Sequence, residues 1–284
     1  MVDQSIALLL GVFTFSCLSF SFPIHPPSRR PRDLNIRCKL LADDSFQTLG
    51  ACSDKDVISF MRDGHLFKKD MFTSSSLLLL RSEVETFLQS NQLEALRHKV
   101  QVSLGEEEVE SLTQEECEEM LASVGGEYIP FLQLFNLWRG LPAAKRVACS
   151  AELGRIAADL LGVPAVRLYQ DSLFAKRAGD GPTQWHTDLN MAPFDSNQLV
   201  TCWIPLQPIP APENGGSSLL FASGSHRYSA LPLFRSYGGD NADDASRDFA
   251  LPYWYDLDSK ELEDRYEVVA AGAFSLGDCS FHHG

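Results

Sequence analysis

The chain is short of positive charge. Its 284 residues hold 24 lysines and arginines against 38 aspartates and glutamates, a formal net charge of −14. Phosphate backbones are gripped by clustered Lys and Arg, so this deficit argues against a nucleic-acid surface. The expected partner is a small-molecule substrate, held by local rather than global charge. Paired cysteines are also missing. Cys17, Cys38, Cys52, Cys117, Cys149, Cys202 and Cys279 include no C-x-x-C pair and no zinc-like spacing. An odd, scattered set in a chain this long argues against a disulfide-stapled secreted module and leaves buried free thiols. Basic residues are absent from the start as well: Asp3 is the only charge before Arg29, where a secretory n-region would carry Lys or Arg.

What the first forty residues do have is targeting composition. Ile6 to Phe22 is uncharged and rich in Leu, Phe and Ser, and the stretch behind it holds Arg29, Arg30, Arg32, Arg37 and Lys39 against Asp33. An apolar run of that length suits a signal-peptide core or a short anchor, and the Arg/Ser-rich, acid-poor piece resembles an organellar transit peptide. Residues 1–40 are therefore expected to be a cleaved leader, of the two-part kind that serves a plastid reached through the secretory route. The bland alternative is a disordered N-terminus or a false start codon, which would leave the protein cytoplasmic. No stable membrane span is expected after leader removal. The first forty residues contain five basic and two acidic residues, so the remainder carries a formal charge of −17.

Residues 50–284 read as one domain, a routine size for a barrel-type β fold. Asp54 to Phe67 suggests a short helix stopped by Gly64 before an extended piece, and Ser76 to Val100 suggests one or two amphipathic helices. His65 and His98 fall there and are expected as surface or helix-face histidines. The eight glutamates between Glu106 and Glu119 suit a solvated helix face or acidic loop. Pro130 to Arg139 and Pro142 to Leu161 read as helices opened by proline, the second ending at Gly162. From Ala165 the period falls to two. A strand runs toward Arg177, the turn cluster Gly179 to Pro182 follows, and the chain is expected to return as a second strand through His186 and Asp188. Leu199 to Leu206 reads as a strand buried on both sides. Asn214-Gly215 signals a tight turn with Ser217 to Ala222 pairing back, and Tyr266 to Phe274 and Cys279 to His283 add two strands. Tyr228 to Arg265, with seven aspartates and the cluster Tyr253, Trp254 and Tyr255, suits a partial lid or a surface excursion. The fold class expected is α+β and mainly β: a jelly roll of the cupin type behind an N-terminal helical block.

The chemistry centres on Thr183 to Asp188, T-Q-W-H-T-D. Along a strand His186 and Asp188 would face the same side. An imidazole and a carboxylate, joined by a second imidazole from elsewhere, make the 2-His-1-carboxylate set that holds Fe(II) and leaves open positions. A surface His and Asp near a turn would show the same spacing.

The surroundings sharpen this. The stretches L-Y-Q-D-S-L-F-A-K-R-A-G-D-G-P-T-Q-W-H-T-D, T-C-W-I-P-L, E-N-G-G-S-S-L-L-F-A-S-G-S-H-R and G-D-C-S-F-H-H-G occur in that order. Together they resemble the phytanoyl-CoA dioxygenase family over about Asp54 to the end. The resemblance implies a double-stranded β-helix, Fe(II) as metal, and 2-oxoglutarate and O2 as co-substrates. It implies His186 and Asp188 as metal ligands and catalytic residues. By position it matches Lys176 to a lysine associated with 2-oxoglutarate, Trp203 to a tryptophan lining the same pocket, and Gln170 to a polar position facing the primary substrate. Lys176 would equally suit a solvated strand end, and Trp203 a core. His226, in G-S-H-R, is expected to shape its loop rather than bind iron. In the family the distal iron histidine follows the F-H-H-G segment, and an arginine gripping 2-oxoglutarate comes after it. This chain stops at Gly284, so it reads as C-terminally incomplete unless His282 or His283 substitutes, early on its strand though either would be. The expected function is hydroxylation of a small or lipid-like molecule. The alternative is an inactive jelly-roll binding protein.

Overall fold

The computed structural model describes residues 5–13, 51–106, 108–124, 131–176, 183, 185–192, 196–216, 218–227 and 259–284. Helix α1 (Asp54–Asp63) opens on a capping box in which Ser53 and Asp56 exchange side-chain-to-backbone hydrogen bonds. It closes at Gly64, whose φ of 79° is left-handed and whose missing Cβ leaves room for the His226 ring. Strand β2 (His65–Lys68) follows directly, as the sequence suggested. Helices α2 (Ser74–Ser90) and α3 (Gln92–Leu104) come next. In α2, Leu77, Leu80, Val84 and Leu88 are buried at helical spacing. The glutamate-rich segment becomes α4 (Gln114–Val124), a largely exposed helix whose start is fixed by reciprocal hydrogen bonds between Thr113 and Glu116.

Two helical expectations are corrected. The stretch ending at Arg139 is strand β3 (Leu132–Phe135) and a 3-10 turn over Leu137–Arg139, not a helix. Asn136 sits at φ 58°, which breaks any helix. The turn is instead held by the buried Asp171 carboxylate, which accepts from the backbone N–H groups of Leu137 at 2.6 Å and Trp138 at 2.7 Å. Pro142 to Leu161 is two helices, α5 (Pro142–Ala148) and α6 (Ala151–Leu161). Ser150 turns extended between them and caps α6 by accepting from Leu153 N–H.

Six antiparallel strands form the main sheet, in the order β2, β8 (Cys279–His283), β5 (Leu199–Pro205), β1 (Ser5–Phe13), β4 (Arg167–Lys176), β3. Alternation divides its faces. Leu173 and Ala175 of β4, Val200, Cys202 and Ile204 of β5, and Cys279 and Phe281 of β8 share one core with α2, α3, α5 and α6. The opposite face carries Gln170, Thr201, Trp203 and His282. A second sheet pairs β6 (Leu220–Ala222) with β7 (Val268–Ala270). The tight turn at Gly215 is present, but β6 does not pair back across it; its partner lies beyond the long excursion. Phe221 of β6 reaches across to His65 (4.9 Å between ring centroids), Phe67 (5.6 Å) and His282 (5.5 Å), so the two sheets meet through an aromatic layer. His65 is thus a buried strand residue, not a surface one.

Residues 228–258 and 177–182, including the Gly-rich turn and the aromatic triplet of the expected lid, lie outside the described residues; the excursion resumes as α7 (Ser259–Arg265). Of the segment read as a leader, Ser5–Phe13 is the strand β1, paired on both sides. The five cysteines in the described residues are free thiols, three of them buried. Among the described residues no helix is long and apolar enough to cross a membrane.

Candidate metal centre

His186 and Asp188 do not lie on a strand. Asp188 opens a 3-10 helix (Asp188–Met191), and Thr187 before it is extended at φ −115°, ψ 135°. One extended residue is enough: alternation across Thr187 brings the two side chains to the same side, with His186 Nε2 3.4 Å from Asp188 Oδ1. The expected pairing is reached without the expected strand. On the carboxylate's other oxygen, Asp188 Oδ2 accepts from Thr201 Oγ1 at 2.5 Å and lies 3.1 Å from His282 Nε2.

The sheet register explains why His282 arrives there. His65 faces His282, His282 faces Thr201, Thr201 faces Gly11, and Gly11 faces Gln170. A single row across five strands therefore holds one imidazole and the hydroxyl that both reach Asp188, with Gln170 at its far end. Trp203 lies one row over, its ring edge-on to Phe274 at 5.0 Å between centroids. Lys176 is on the Gln170 face but six residues further along β4, about 20 Å by strand rise. Its ammonium lies 5.8 Å from the Phe131 ring. The structure brings His186, Asp188 and His282 together, keeps Trp203 and Gln170 near them, and leaves Lys176 at the far end of its strand. His226 faces α1, with Nε2 3.2 Å from the Met61 carbonyl, which fits the loop-shaping role expected for it.

Burial alone would push the Asp188 carboxyl up. Hydrogen bonds from His186 and His282, and their charge, outweigh that and hold it well below the usual carboxylate range. It is therefore an anion at neutral pH, little exposed, between two imidazoles. Ligands about 2.1 Å from an octahedral ion stand about 3 Å apart, and the two imidazole-to-carboxylate distances are close to that. The donor set, two nitrogens and a carboxylate, fits Fe(II). Among the described residues no three such groups already enclose a point, so the side chains must turn toward an ion. The His282 Nδ1 is buried without a hydrogen-bond partner, where a metal-bound histidine normally has one.

Thr201 holds Asp188 without being a ligand candidate itself. Thr201→Val, nearly isosteric, is expected to lower divalent-metal affinity by about 10-fold to 100-fold, the usual effect of losing a group that orients a ligand. Calorimetric titration with Mn(II), alongside an unchanged circular dichroism spectrum, checks this.

Burial holds His65, His98, His226 and His283 below the ordinary histidine range. In each case the folded pKa is depressed, so below about pH 6.5 the unfolded chain takes up protons that the folded chain refuses. Stability is then expected to fall as pH drops from 6.5 through the folded values, and Asp188 adds a further loss below about 4 as its carboxylate is protonated. Urea midpoints should be lower at pH 5.5 than at pH 7.5. His65→Phe, which keeps the ring against Phe221, should flatten that dependence.

The family model described as "Phytanoyl-CoA dioxygenase (PhyH)" matches residues 84–284. No curated protein matches the sequence. Among solved structures, the non-heme alpha ketoglutarate dependent carbocyclase SnoK from nogalamycin biosynthesis is 17% identical at a TM-score of 0.50, covering 84% of this chain and 76% of its own. It shares the fold. The epimerase SnoN of the same biosynthesis is found at TM-score 0.44 with 17% identity over 81% of this chain and 71% of its own. In complex with Fe3+, alpha ketoglutarate and nogalamycin RO it is found at 0.44 with 20% identity, over 81% and 73%. With two-thirds of its length matched by one family model, this chain belongs to the phytanoyl-CoA dioxygenase family, non-haem enzymes that use Fe(II), 2-oxoglutarate and O2.

Proposed function

We propose that this protein hydroxylates an unactivated C–H bond of a small or lipid-like molecule, on a double-stranded β-helix whose two sheets are the six-stranded sheet and the β6–β7 pair. The observation that carries the reading is the Asp188 carboxylate set between His186 and His282 on the sheet face that meets β6. His186, Asp188 and His282 would hold the metal. When bound there, Fe(II) with 2-oxoglutarate activates O2 and supplies the oxidant for C–H cleavage. The protein's own part is positional. Thr201 keeps Asp188 turned toward both imidazoles, and the Phe221 ring packs against His282 with an apolar face that suits a hydrocarbon body. Gln170, at the end of the same row, is placed to hold a polar group of the substrate. For 2-oxoglutarate the support for Trp203 and Lys176 is sequence position alone, and about 20 Å of strand between Gln170 and Lys176 weighs against the lysine.

Purified protein given Fe(II), 2-oxoglutarate and O2 should form succinate, even uncoupled from substrate. No turnover with iron demonstrably bound would overturn the reading. The rival, an inactive binding protein, draws on the unpartnered His282 Nδ1; it requires any iron binding to survive His186→Ala.

A further inference from the structure

β2 and β8 deliver two imidazoles to one place. His65 lies opposite His282 in their antiparallel ladder, and in the pair beside them His283 N–H donates to the Gly64 carbonyl at 2.8 Å. Hydrogen-bonded and non-hydrogen-bonded pairs alternate along such a ladder, so His65 and His282 hold a non-hydrogen-bonded position. Cα atoms there stand about 4.5 Å apart, the closer of the two spacings, and their side chains share one face. That face is the one that meets Asp188.

Each of the two rings has a buried nitrogen without a partner. His65 is 9% exposed, and its Nε2 makes no hydrogen bond; nor does Nδ1 of His282. The rings packed on them are hydrocarbon. Phe221 lies against both, its plane 18° from that of His65, and Phe67 lies 5.5 Å from His65 between centroids. Neither phenyl ring offers a lone pair or an N–H. Buried polar atoms in native proteins are nearly always paired, so two orphans on directly opposed residues call for one explanation.

The two nitrogens are chemically complementary. A neutral imidazole has one N–H and one lone pair. When the Nε2 lone pair of His282 faces a metal ion, the proton must sit on Nδ1, which then has to donate. A His65 ring protonated on Nδ1 can only accept at Nε2. Rotation about the Cβ–Cγ bond of histidine is soft, so the two atoms can meet without backbone movement.

We infer that His65 is a positioning residue of the metal centre: on metal binding, His282 Nδ1–H donates to His65 Nε2, which holds the His282 ring with Nε2 toward the ion and Asp188. This rests on the reading of His282 as a ligand. It gives β2, which contributes no ligand candidate, a part in supporting the site.

Full-length protein isotope-labelled at the histidine ring nitrogens and loaded with Zn(II) should show an imidazole N–H proton that exchanges slowly with water and is absent from His282→Ala. A nitrogen–nitrogen coupling across the hydrogen bond should connect it to His65. In calorimetric titration with Mn(II), His65→Phe, which keeps a ring against Phe221 but has no lone pair, should lower affinity about 10-fold. His65→Gln, whose Oε1 accepts near the place of Nε2, should recover most of that loss. Unchanged affinity in His65→Phe, or a slowly exchanging His282 N–H that survives this change, overturns the inference while His186→Ala still removes binding. Equal losses in His65→Phe and His65→Gln with no coupling between the rings would mean packing alone and overturn it too. If neither His186→Ala nor His282→Ala alters affinity, the metal site itself falls and the inference with it.

Discussion

Asp188→Ala should lower divalent-metal affinity by about 100-fold or more and remove succinate formation with it, because no other carboxylate among the described residues touches both imidazoles. Connectivity sets the size of the effect. His186 reaches one oxygen of Asp188, while His282 and Thr201 reach the other, so deleting this one side chain disconnects three groups. The side chain is little exposed and tied to Thr201 and both imidazoles, so some stability goes with it, and an unchanged circular dichroism spectrum shows that the variant still folds. Asp188→Asn separates charge from shape: it keeps the side-chain outline but donates where it must accept, and should bind metal nearly as poorly as Asp188→Ala. His282→Ala provides the sharper comparison. If His282 is the third ligand, its loss should approach that of His186→Ala. If it only hydrogen-bonds Asp188, metal affinity should drop about 10-fold, as for a supporting group. Titration with Mn(II) under argon measures all four, and succinate release on adding Fe(II), 2-oxoglutarate and air provides the second readout.

Phe281→Ala is expected to cost about 3–5 kcal/mol of stability, the usual range for truncating a fully buried aromatic ring. Phe281 is 1% exposed, on a strand paired on both sides, opposite Leu66 on β2 and Cys202 on β5. Truncating it leaves a cavity in the core shared with the helices, one residue before His282. Phe281→Leu should cost less, about 1–1.5 kcal/mol, because most of the volume stays filled. Urea unfolding with an unchanged m-value reads the difference. A loss below about 1 kcal/mol for Phe281→Ala would mean that β8 is not anchored as described.

Much of this architecture can be read from the residues, and where it cannot, the reason is physical. Gly64 ending a helix and the β4, β5 and β8 strands have one reading each: a left-handed cap, or apolar runs of strand length between turn residues. The segment F-L-Q-L-F-N-L-W fits both a helical and a two-residue period, and what decides it is Asp171, a buried carboxylate over thirty residues away that no local pattern announces. Asn-Gly favours a hairpin and so points β6 at the wrong partner, while its true partner β7 lies beyond a long excursion. His65 reads as an ordinary surface or helix-face histidine; only cross-strand pairing shows it opposite His282. The apolar N-terminus is the hardest case, since a leader core and a strand paired on both sides have the same composition. In the candidate site, the approach of His186 to Asp188 is legible from their spacing, although the strand invoked to explain it is absent. His282 is legible only as a substitute placed early on its strand, because register across four ladders is not written in any one segment.

That ladder alignment makes the centre tolerant of slippage in one direction. A shift of β8 by a single residue would turn His282 toward the helices and bring its neighbour to the opposite face. That neighbour is His283, so the strand that delivers an imidazole to Asp188 would still deliver one after such a slip. Elsewhere in the row the same error would exchange Thr201 for Val200 or Cys202, and the carboxylate would lose its hydroxyl partner. Such a slip on β8 would keep an imidazole at Asp188 only by taking Phe281 out of the core, whereas a slip on β5 would also cost the carboxylate its hydroxyl.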